Sequence, residues 1–415
     1  MKDATKNRVL RQIREKDIVA FGARILRIPS FKTEETRVAR FLAGFFRRRG
    51  YEVDLQEVEP GRYQTIATLK GSGGGKSLML NGHIDIDPLA MGWKRDPWTP
   101  SWEGDRLYGA GAFNMKGGIT SMVAAAEAIR KSRVELKGDL VVACVVGELQ
   151  GGVGTVHALE RGVRTDMAIV AEPFGSETLM TTHAGVVGMA INTIGYSQHI
   201  SRREDAVDAI EKMFPVIEAV RNVKFTYTPR DDLPGLPRII CGAIIAGRGR
   251  DHDLKGPNFT SDFCTSLWDV RILPGQTSKS VQEDVRRTLE ALKAKDSDLH
   301  YDIEIPIPAK YRAMRVVMEP VDIPKDEYIV QSVARNFREV TGRPPKTIGA
   351  LLPRSYAGND TCHLWGAGIP CVLYGPGGGR GEQGEEPDTY TVVSEMSLCA
   401  KVMALTALDV CDQPN

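Results

Sequence analysis

The sequence predicts an α/β protein in which a main domain, a mixed sheet flanked by helices, is interrupted by a small α+β sandwich. Two observations carry this prediction. Short apolar runs alternate with amphipathic helices towards both ends of the chain, and the middle follows the order strand-helix-strand-strand-helix-strand. Buried strands that alternate with helices are typical of a sheet covered on both faces. The middle pattern is typical of a two-layer insertion.

The elements of the main domain are predicted in its first part, residues 1–185, and in its second part, residues 308–415. A single helix is expected over residues 5–30, and a second helix, with apolar positions every three or four residues, ends at Gly50. A later helix is expected over 326–341. The predicted strands of this domain share a short apolar run next to turn residues: 78–80, 140–146, 167–170 and 371–374.

The insertion is predicted to span residues 186–307. Its strands are expected near its start, at 239–245 and at 265–272, with one helix after the first strand and a charged helix after the third. The Gly-rich stretch that begins at Gly375 reads as a loop of the main domain and not as a linker.

Composition excludes several classes of function. With 415 residues, 42% hydrophobic and 26% charged, the chain is an ordinary globular protein. A net charge of +1 gives no reason to expect nucleic acid as a partner. No apolar stretch is long enough to span a bilayer, so no membrane partner is expected. Seven cysteines without disulfide or metal spacing favour reduced thiols and a cytoplasmic protein.

The most informative segment runs from Leu80 to Gly118. His83 and Asp85 lie two residues apart directly after an apolar run, and residues at this spacing share one side of an extended chain. One can then offer an imidazole to a metal ion while the other fixes that imidazole. Some thirty residues later stands Asn114. Its amide oxygen can bind one metal ion, but it bridges two poorly.

This segment resembles the co-catalytic metallopeptidase family of aminoacylases, glutamate carboxypeptidases, acetylornithine deacetylase and succinyl-diaminopimelate desuccinylase. The matching residues form a long ordered series: His83, Asp85, Pro88, Trp93, Asp96, Pro97, Trp98, Gly104, Leu107, Tyr108, Gly109, Gly111, Met115, Lys116, Gly117 and Gly118. The resemblance covers nearly the whole chain. It implies a catalytic domain and a lid that also mediates dimerisation, so we expect a homodimer or a higher homo-oligomer.

The resemblance also implies roles for residues near the ends of the predicted strands. Glu148 falls on the catalytic general acid/base, and Glu172 falls on a ligand of the first metal. With His83 and Asn114, Glu172 completes three candidate ligands, while Asp85 would hold the imidazole of His83. The alternatives are a solvated Glu148 in a glycine-rich turn, a core histidine at position 83 and a surface turn residue at position 114.

The second metal of the family has lost its ligands in this sequence. Asn114 replaces the bridging aspartate, Leu149 replaces a glutamate, and Glu385 stands where the family has a histidine. An alkyl side chain cannot coordinate a metal. We therefore expect one divalent metal ion per chain, with Mn²⁺ favoured and Zn²⁺, Fe²⁺ or Co²⁺ as alternatives.

Four further residues are candidates for contact with a small-molecule substrate that carries a carboxylate. His199 matches the lid histidine that stabilises an oxyanion across the dimer in the family, and Asn258 and Gly377 match family loops. Arg354 is a candidate for a bidentate pair with the substrate carboxylate. The alternatives are a plain surface histidine and a solvated loop arginine.

These residues predict a metal-dependent hydrolase that acts on a carbon–nitrogen bond. Because the second metal is lost, the favoured hypothesis is an aromatic aminohydrolase (a deaminase), such as 5-nitroanthranilate aminohydrolase. One alternative is an N-acyl-amino-acid amidohydrolase or dipeptidase, and another is a non-catalytic binding protein that kept the fold. An ordinary two-metal peptidase that recruits Glu385 is a third alternative, which Leu149 speaks against.

Overall fold

The computed structural model of the protein describes residues 2–254, 256–379 and 387–414. The chain divides into two compact units. The larger unit contains residues up to 182, 322–355 and 359 onward, and the smaller unit contains residues 183–321 and 356–358. The predicted fold class is confirmed, since the larger unit holds a mixed sheet with helices and the smaller unit is an α+β structure. The predicted boundaries and the lid and dimerisation roles stay predictions.

The helices and strands of the described residues are numbered in chain order. The helices are α1 Lys2–Leu10, α2 Glu15–Leu26, α3 Thr36–Arg47, α4 Gly117–Lys131, α5 Val153–Glu160, α6 Ala209–Arg221, α7 Ser278–Lys293, α8 Tyr328–Thr341, α9 Thr361–Gly366 and α10 Val393–Cys411. The strands are β1 Glu52–Glu59, β2 Arg62–Leu69, β3 Leu78–His83, β4 Ser101–Glu103, β5 Arg106–Tyr108, β6 Leu140–Val145, β7 Met167–Val170, β8 Thr178–Met180, β9 Thr182–His183, β10 Gly185–Ile194, β11 Arg238–Gly247, β12 Phe263–Ile272, β13 His300–Glu304, β14 Val321–Asp322, β15 Thr347–Gly349, β16 Cys371–Leu373 and β17 Tyr390–Val392.

The main sheet of the larger unit has eight strands in the order β1-β2-β6-β3-β7-β16-β8-β15. Its centre is parallel, because β3 pairs in parallel with both β6 and β7, and β16 pairs in parallel with β7. All residues of β3, β6 and β7 are buried, which is the burial expected of parallel strands covered by helices on both faces. Helix α4 packs on β3 and β6, and the buried helix α10 packs on α4. The carboxyl ends of three adjacent parallel strands therefore meet at one edge.

The prediction of one helix over residues 5–30 was wrong. The chain forms two helices, α1 and α2, and leaves helical geometry at Arg14, whose backbone is extended (φ −123°, ψ 131°). The turn between them allows Ile13 and Ile18 both to be buried in the same unit. The other predicted helices and strands of this domain lie within a few residues of the observed ones.

The smaller unit is an antiparallel sheet in the order β11-β12-β10-β13, with helices α6 and α7 packed against it. Its core is centred on Trp268 of β12 and includes Met213 of α6 and Leu289 of α7. Helix α7 begins at a capping box formed by Thr277 and Ser280, which satisfies its first amide groups. Among the described residues, no helix combines the length and the apolar character that crossing a membrane requires.

Candidate metal centre and active site

Three polar side chains converge at the carboxyl ends of the central strands. His83 is the last residue of β3, Glu148 follows β6 by three residues, and Glu172 follows β7 by two. Because β3 lies between β6 and β7 and runs parallel to both, these positions are neighbours in space. The carboxyl ends of parallel strands are where open α/β sheets bind their ligands.

The geometry of this cluster fits a cation. One possible ligand atom from each of His83, Glu148 and Glu172 lies within 4.8 Å of the other two. The His83 Nε2 atom is 3.6 Å from Glu172 Oε1 and 3.9 Å from Glu148 Oε2. All three side chains are buried, and Glu172 Oε1 has no hydrogen-bond partner in the described structure. A buried carboxylate oxygen without a partner is costly, and a divalent cation would satisfy it.

The side chain of Asn114 also lies in this cluster, next to His83. Its Oδ1 atom is 3.0 Å from His83 Nε2. It belongs to the turn Ala112–Lys116, which leads directly into α4, and its own backbone is extended (φ −111°, ψ 107°). The structure therefore brings together all three residues that the sequence predicted as ligands, with Glu148 beside them.

Burial and charge dominate the protonation of this cluster in the absence of a metal ion. Burial raises the pKa of Glu148 well above its usual value, and it raises the pKa of Glu172 to about 7. Burial acts to lower the pKa of His83, but the hydrogen bond to Asp85 and the charges of the two glutamates outweigh it, so the net shift is upward. The metal-free site therefore holds protons that a bound cation would displace.

Asp85 lies beneath His83 and is fully buried. Its backbone oxygen is 3.0 Å from His83 Nδ1, and its carboxylate Oδ1 is 3.4 Å from the same nitrogen. Either contact favours a proton on Nδ1, which leaves Nε2 directed towards the candidate cation site. The geometry fits the predicted role of Asp85 in holding the imidazole, and that role stays a prediction.

The position of Leu149 agrees with the loss of a metal ligand. Its amide donates to Asp85 Oδ2 at 3.0 Å, so its backbone is held next to Glu148, the predicted base, and its alkyl side chain offers no donor atom. Glu385, the residue expected in place of the family's histidine, lies outside the described residues.

Two of the predicted substrate-binding residues lie in the larger unit, next to Glu172. Arg354 donates to the backbone oxygen of Pro173 at 3.0 Å, and its guanidinium carbon is 5.6 Å from the centre of the Phe113 ring. The loop that contains Gly377 passes so close to Glu172 that a Cβ atom on Gly375 would lie 2.3 Å from the Glu172 carbonyl oxygen. Gly377 itself donates its amide to Glu395.

The other two lie in the smaller unit. His199 is half-buried, accepts from the amide of Ser201 through Nδ1, and packs edge-on against Phe259 at 5.2 Å. Asn258 accepts from the amide of Ile200 through its backbone oxygen at 2.8 Å. The two predicted lid residues are thus close neighbours of each other, and their roles towards substrate stay predictions.

Comparison with known proteins identifies the family of this chain. The model of peptidase family M20/M25/M40 matches residues 79–409, which is most of the chain. The chain belongs to this family. It is therefore related to hydrolases that act on carbon–nitrogen bonds and bind divalent metals, which confirms the family predicted from the segment around His83.

The M20 relatives include two enzymes that remove an acyl group from nitrogen. N-formyl-4-amino-5-aminomethyl-2-methylpyrimidine deformylase of Bacillus subtilis is 28% identical over 364 residues, 82% of each chain. Acetylornithine deacetylase of Vibrio vulnificus is 30% identical over 370 residues, 87% of this chain and 88% of the relative. The dipeptidase Dug1p of Saccharomyces cerevisiae has the same fold, with a TM-score of 0.76 over 99% of both chains at 12% identity. The family and the two relatives named for removal of formyl and acetyl groups back the amidohydrolase alternative better than the favoured aromatic aminohydrolase, which they do not support.

A series of buried polar residues linked by hydrogen bonds lies near the cluster of His83, Glu148 and Glu172. No separate role was predicted for these residues from the sequence. Asn81 of β3 donates to Thr155 at 3.1 Å, and Thr155 donates to Asp360 at 2.9 Å. Burial raises the pKa of Asp360 to about 6, and its negative charge acts to raise the pKa values of Glu148 and Glu172. The signal that could have found it is the alternation of Asn81 with His83 on one strand face.

Proposed function

We propose that this protein hydrolyses the amide bond of a small N-acyl compound that carries an acidic group. The observation that carries the proposal is the convergence of His83, Asn114 and Glu172 on one point, with the carboxylate of Glu148 next to it. The two relatives named for removal of formyl and acetyl groups support an N-acyl substrate.

We propose that His83, Asn114 and Glu172 hold one divalent cation. The donor set is one imidazole, one neutral amide oxygen and one carboxylate, which suits Mn²⁺ as well as Zn²⁺, Fe²⁺ or Co²⁺. When bound, such a cation supplies Lewis-acid polarisation and lowers the pKa of a coordinated water. Because Leu149 offers no donor atom, the donor set supports a single ion.

Glu148 is proposed as the general acid/base. Its side chain is buried at the edge of the cluster, and burial raises its pKa, which favours delivery of a proton from this carboxyl group to a leaving nitrogen. In the proposed reaction Glu148 accepts a proton from the attacking water and returns it to the leaving nitrogen. An alkyl or amide side chain at this position could do neither.

Arg354 is proposed to bind the acidic group of the substrate. Its guanidinium lies next to Pro173, the residue after Glu172, and near the ring of Phe113, the residue before Asn114. An arginine that lies beside the neighbours of two proposed metal ligands can bind the carboxylate of a substrate through two hydrogen bonds. We further propose that His199, Asn258 and Gly377 contact the substrate.

We propose that the smaller unit mediates homodimerisation. β11 is an edge strand of its sheet, and it exposes Ile240 and Ile244; on α6 the ring of Phe214 is 65% exposed. A long edge strand next to exposed apolar side chains is a common site of self-association.

We propose a reducing compartment such as the cytoplasm for this protein. Its seven cysteines are free thiols, and six of them are buried, which is typical of proteins that keep their cysteines reduced.

The experiment that tests the proposed function is a hydrolysis assay on metal-loaded protein. N-formyl and N-acetyl derivatives of amino acids and of aminomethyl heterocycles are incubated with protein loaded with Mn²⁺ or Zn²⁺, and release of formate, acetate and free amine is measured. Turnover of an acidic N-acyl compound, abolished by a chelator, is expected. A protein that binds the cation but turns over none of these substrates overturns the proposal and favours a binding protein.

A second candidate function is the aromatic aminohydrolase. The observation that favours it is Leu149 at a position where the family resemblance implies a ligand, because an alkyl side chain offers no donor to a second metal and addition of water to an aromatic ring would need only one. The same assay includes 5-nitroanthranilate and measures ammonia. Ammonia release without amide hydrolysis would select this candidate over the amidohydrolase.

A further inference from the structure

Glu148 lies on a loop that runs from Val146 to Gly154 in the first turn of α5. It contains Gly147, Gly151 and Gly152, all with positive φ values of 68°, 94° and 84°, and glycine residues have the greatest freedom to leave such a backbone. Backbone hydrogen bonds, such as those from Gly152 to Gly147 and from Gly154 to Val146, close the turns within the loop. How the loop as a whole sits against the cluster around His83 depends on contacts from outside it, which include the two hydrogen bonds to Asp85.

Gln64 of β2 joins the two ends of this loop. Its Oε1 atom accepts from the amide of Val146 at 3.3 Å, and its Nε2 atom donates to the carbonyl oxygen of Gly154 at 2.9 Å. The side chain is fully buried. Both hydrogen bonds therefore form away from water, where an unmade one costs the most.

Arg62, two residues earlier on the same face of β2, lies against the start of the loop at Gly147. A Cβ atom on Gly147 would be only 2.9 Å from Arg62 Nη2, so the guanidinium packs directly on the residue before Glu148. The guanidinium is itself held by Glu35 through two hydrogen bonds of 2.9 and 2.5 Å, and the side chains of this pair are 4% and 0% exposed. It also donates to Glu59 at 2.7 Å.

A buried ion pair of this kind is weak support for stability, because desolvation of both charges offsets their attraction. The contact of Arg62 with the loop explains better why this buried ion pair is present. Arg62 and Gln64 lie two residues apart on β2 and therefore share one strand face. This face presents a guanidinium to Gly147 and an amide to Val146 and Gly154.

We infer that β2 positions the catalytic base: Gln64 and Arg62 are positioning residues that hold the Val146–Gly154 loop so that Glu148 faces the cation site. This inference rests on the proposed role of Glu148 for its effect on turnover, but its effect on the loop does not. Neither residue contacts the predicted metal ligands His83 and Glu172 in the hydrogen bonds described. Metal affinity is therefore expected to stay unchanged when either residue is replaced.

The test compares Gln64→Met with Gln276→Met. Gln276 is a buried glutamine of the smaller unit that likewise accepts from a backbone amide, that of Leu273 at 3.3 Å, and donates to a carbonyl oxygen, that of Thr226 at 3.1 Å. For Gln64→Met we expect amide hydrogen exchange across residues 146–154 to become about fivefold to tenfold faster. We expect kcat to fall about 10- to 100-fold, with KM within threefold, because small misplacement of a catalytic group is costly. Gln276→Met should lower the melting temperature similarly and change neither quantity.

A parallel comparison uses Arg62→Met and Arg49→Met. Arg49 pairs with Glu127 at 3.1 Å in the same unit, away from the loop. Faster exchange of the loop and a lower kcat in the Arg62 variant alone would support the inference. Equal exchange in both variants, or an unchanged kcat in the Gln64 and Arg62 variants, would overturn it. If the wild type hydrolyses no N-acyl compound, the proposed function fails, and the exchange comparison still decides whether β2 holds the loop.

Discussion

Asp85 and Glu148 are joined by a hydrogen bond that links the candidate metal centre to the predicted base. The amide of Glu148 donates to Asp85 Oδ1 at 3.2 Å, and the amide of Leu149 donates to Asp85 Oδ2 at 3.0 Å. The same Oδ1 atom lies 3.4 Å from Nδ1 of His83. One buried carboxylate therefore contacts both the imidazole of His83 and the start of the turn that carries Glu148.

Replacement of Glu148 by glutamine should remove turnover and keep the fold and the metal. The amide has nearly the same size, but it cannot accept a proton from water, and loss of a general base lowers rates about 10²- to 10⁴-fold. The measurement is kcat on the best N-acyl substrate together with metal content. Glu160→Gln, an exposed glutamate at the end of α5, is the matched control. Undiminished activity in Glu148→Gln would assign the base to another residue.

Metal content should be one divalent ion per chain, and His83→Ala should lose it. The imidazole supplies the Nε2 atom next to Asn114 Oδ1 and Glu172 Oε1, so its removal leaves two weak oxygen donors. Elemental analysis of gently purified protein gives the stoichiometry, and His300→Ala, an exposed histidine of the smaller unit, is the control. Two ions per chain would contradict the argument from Leu149, and retention of the ion by His83→Ala would contradict the site.

The sequence pattern alone predicted only part of the candidate cluster. His83 was found from its place directly after a buried strand, and Glu172 comes two residues after another, so the edge of the parallel sheet brings the two together. The ligand role of Glu172 and the roles of Glu148 and Asn114 came from the family resemblance, since nothing in the turn of Asn114 indicates that its amide points at His83.

What the sequence could not predict are contacts made by strands without a motif. Arg62 and Gln64 lie in β2, an antiparallel strand that follows a hairpin, and their contact with the Glu148 loop depends on β2 pairing with β6. The pairing register of β2 and β6 is set by tertiary structure and cannot be read from either strand alone. The break between α1 and α2 was missed for a similar reason, since burial of Ile13 and Ile18 overrides a sequence that is locally compatible with one helix.

Metal affinity should fall as the pH is lowered below about 7. Burial raises the pKa of Glu172 to about 7. Burial of His83 is outweighed by Asp85 and the two glutamates, so its pKa is also raised, and at lower pH both ligands carry a proton that the cation must displace. Each displaced proton lowers the apparent affinity about tenfold per pH unit below its pKa, so the fall should be steeper than about tenfold per unit. Calorimetric titration with Mn²⁺ from about pH 5.5 to 8.5, in buffers of different ionisation enthalpy, measures affinity and proton release. An affinity that stays constant below pH 7 would contradict the raised pKa.

Arg354→Lys should weaken binding of acidic substrates and leave neutral ones unaffected. Lysine keeps the positive charge but loses the planar pair of donors, and a lost hydrogen bond to a charged group costs about tenfold or more in kcat/KM. The measurement compares an N-acyl amino acid with its methylamide in wild type and variant. A similar loss for both compounds would indicate that Arg354 supports the loop at Pro173 and not the substrate.

The wild-type protein should have twice the chain mass of 45.6 kDa in solution, and charged residues on the exposed face of the smaller unit should halve it. Ile244→Lys on β11 and Phe214→Lys on α6 place an ammonium group on side chains that are 55% and 65% exposed in the single chain. A buried charge without a partner strongly disfavours association. Light scattering after size exclusion gives the mass, and Met91→Lys, an equally drastic change at an exposed position of the larger unit, is the control. A wild type that stays at the mass of one chain would contradict the proposed dimer, and a dimer that survives both substitutions would place the interface elsewhere.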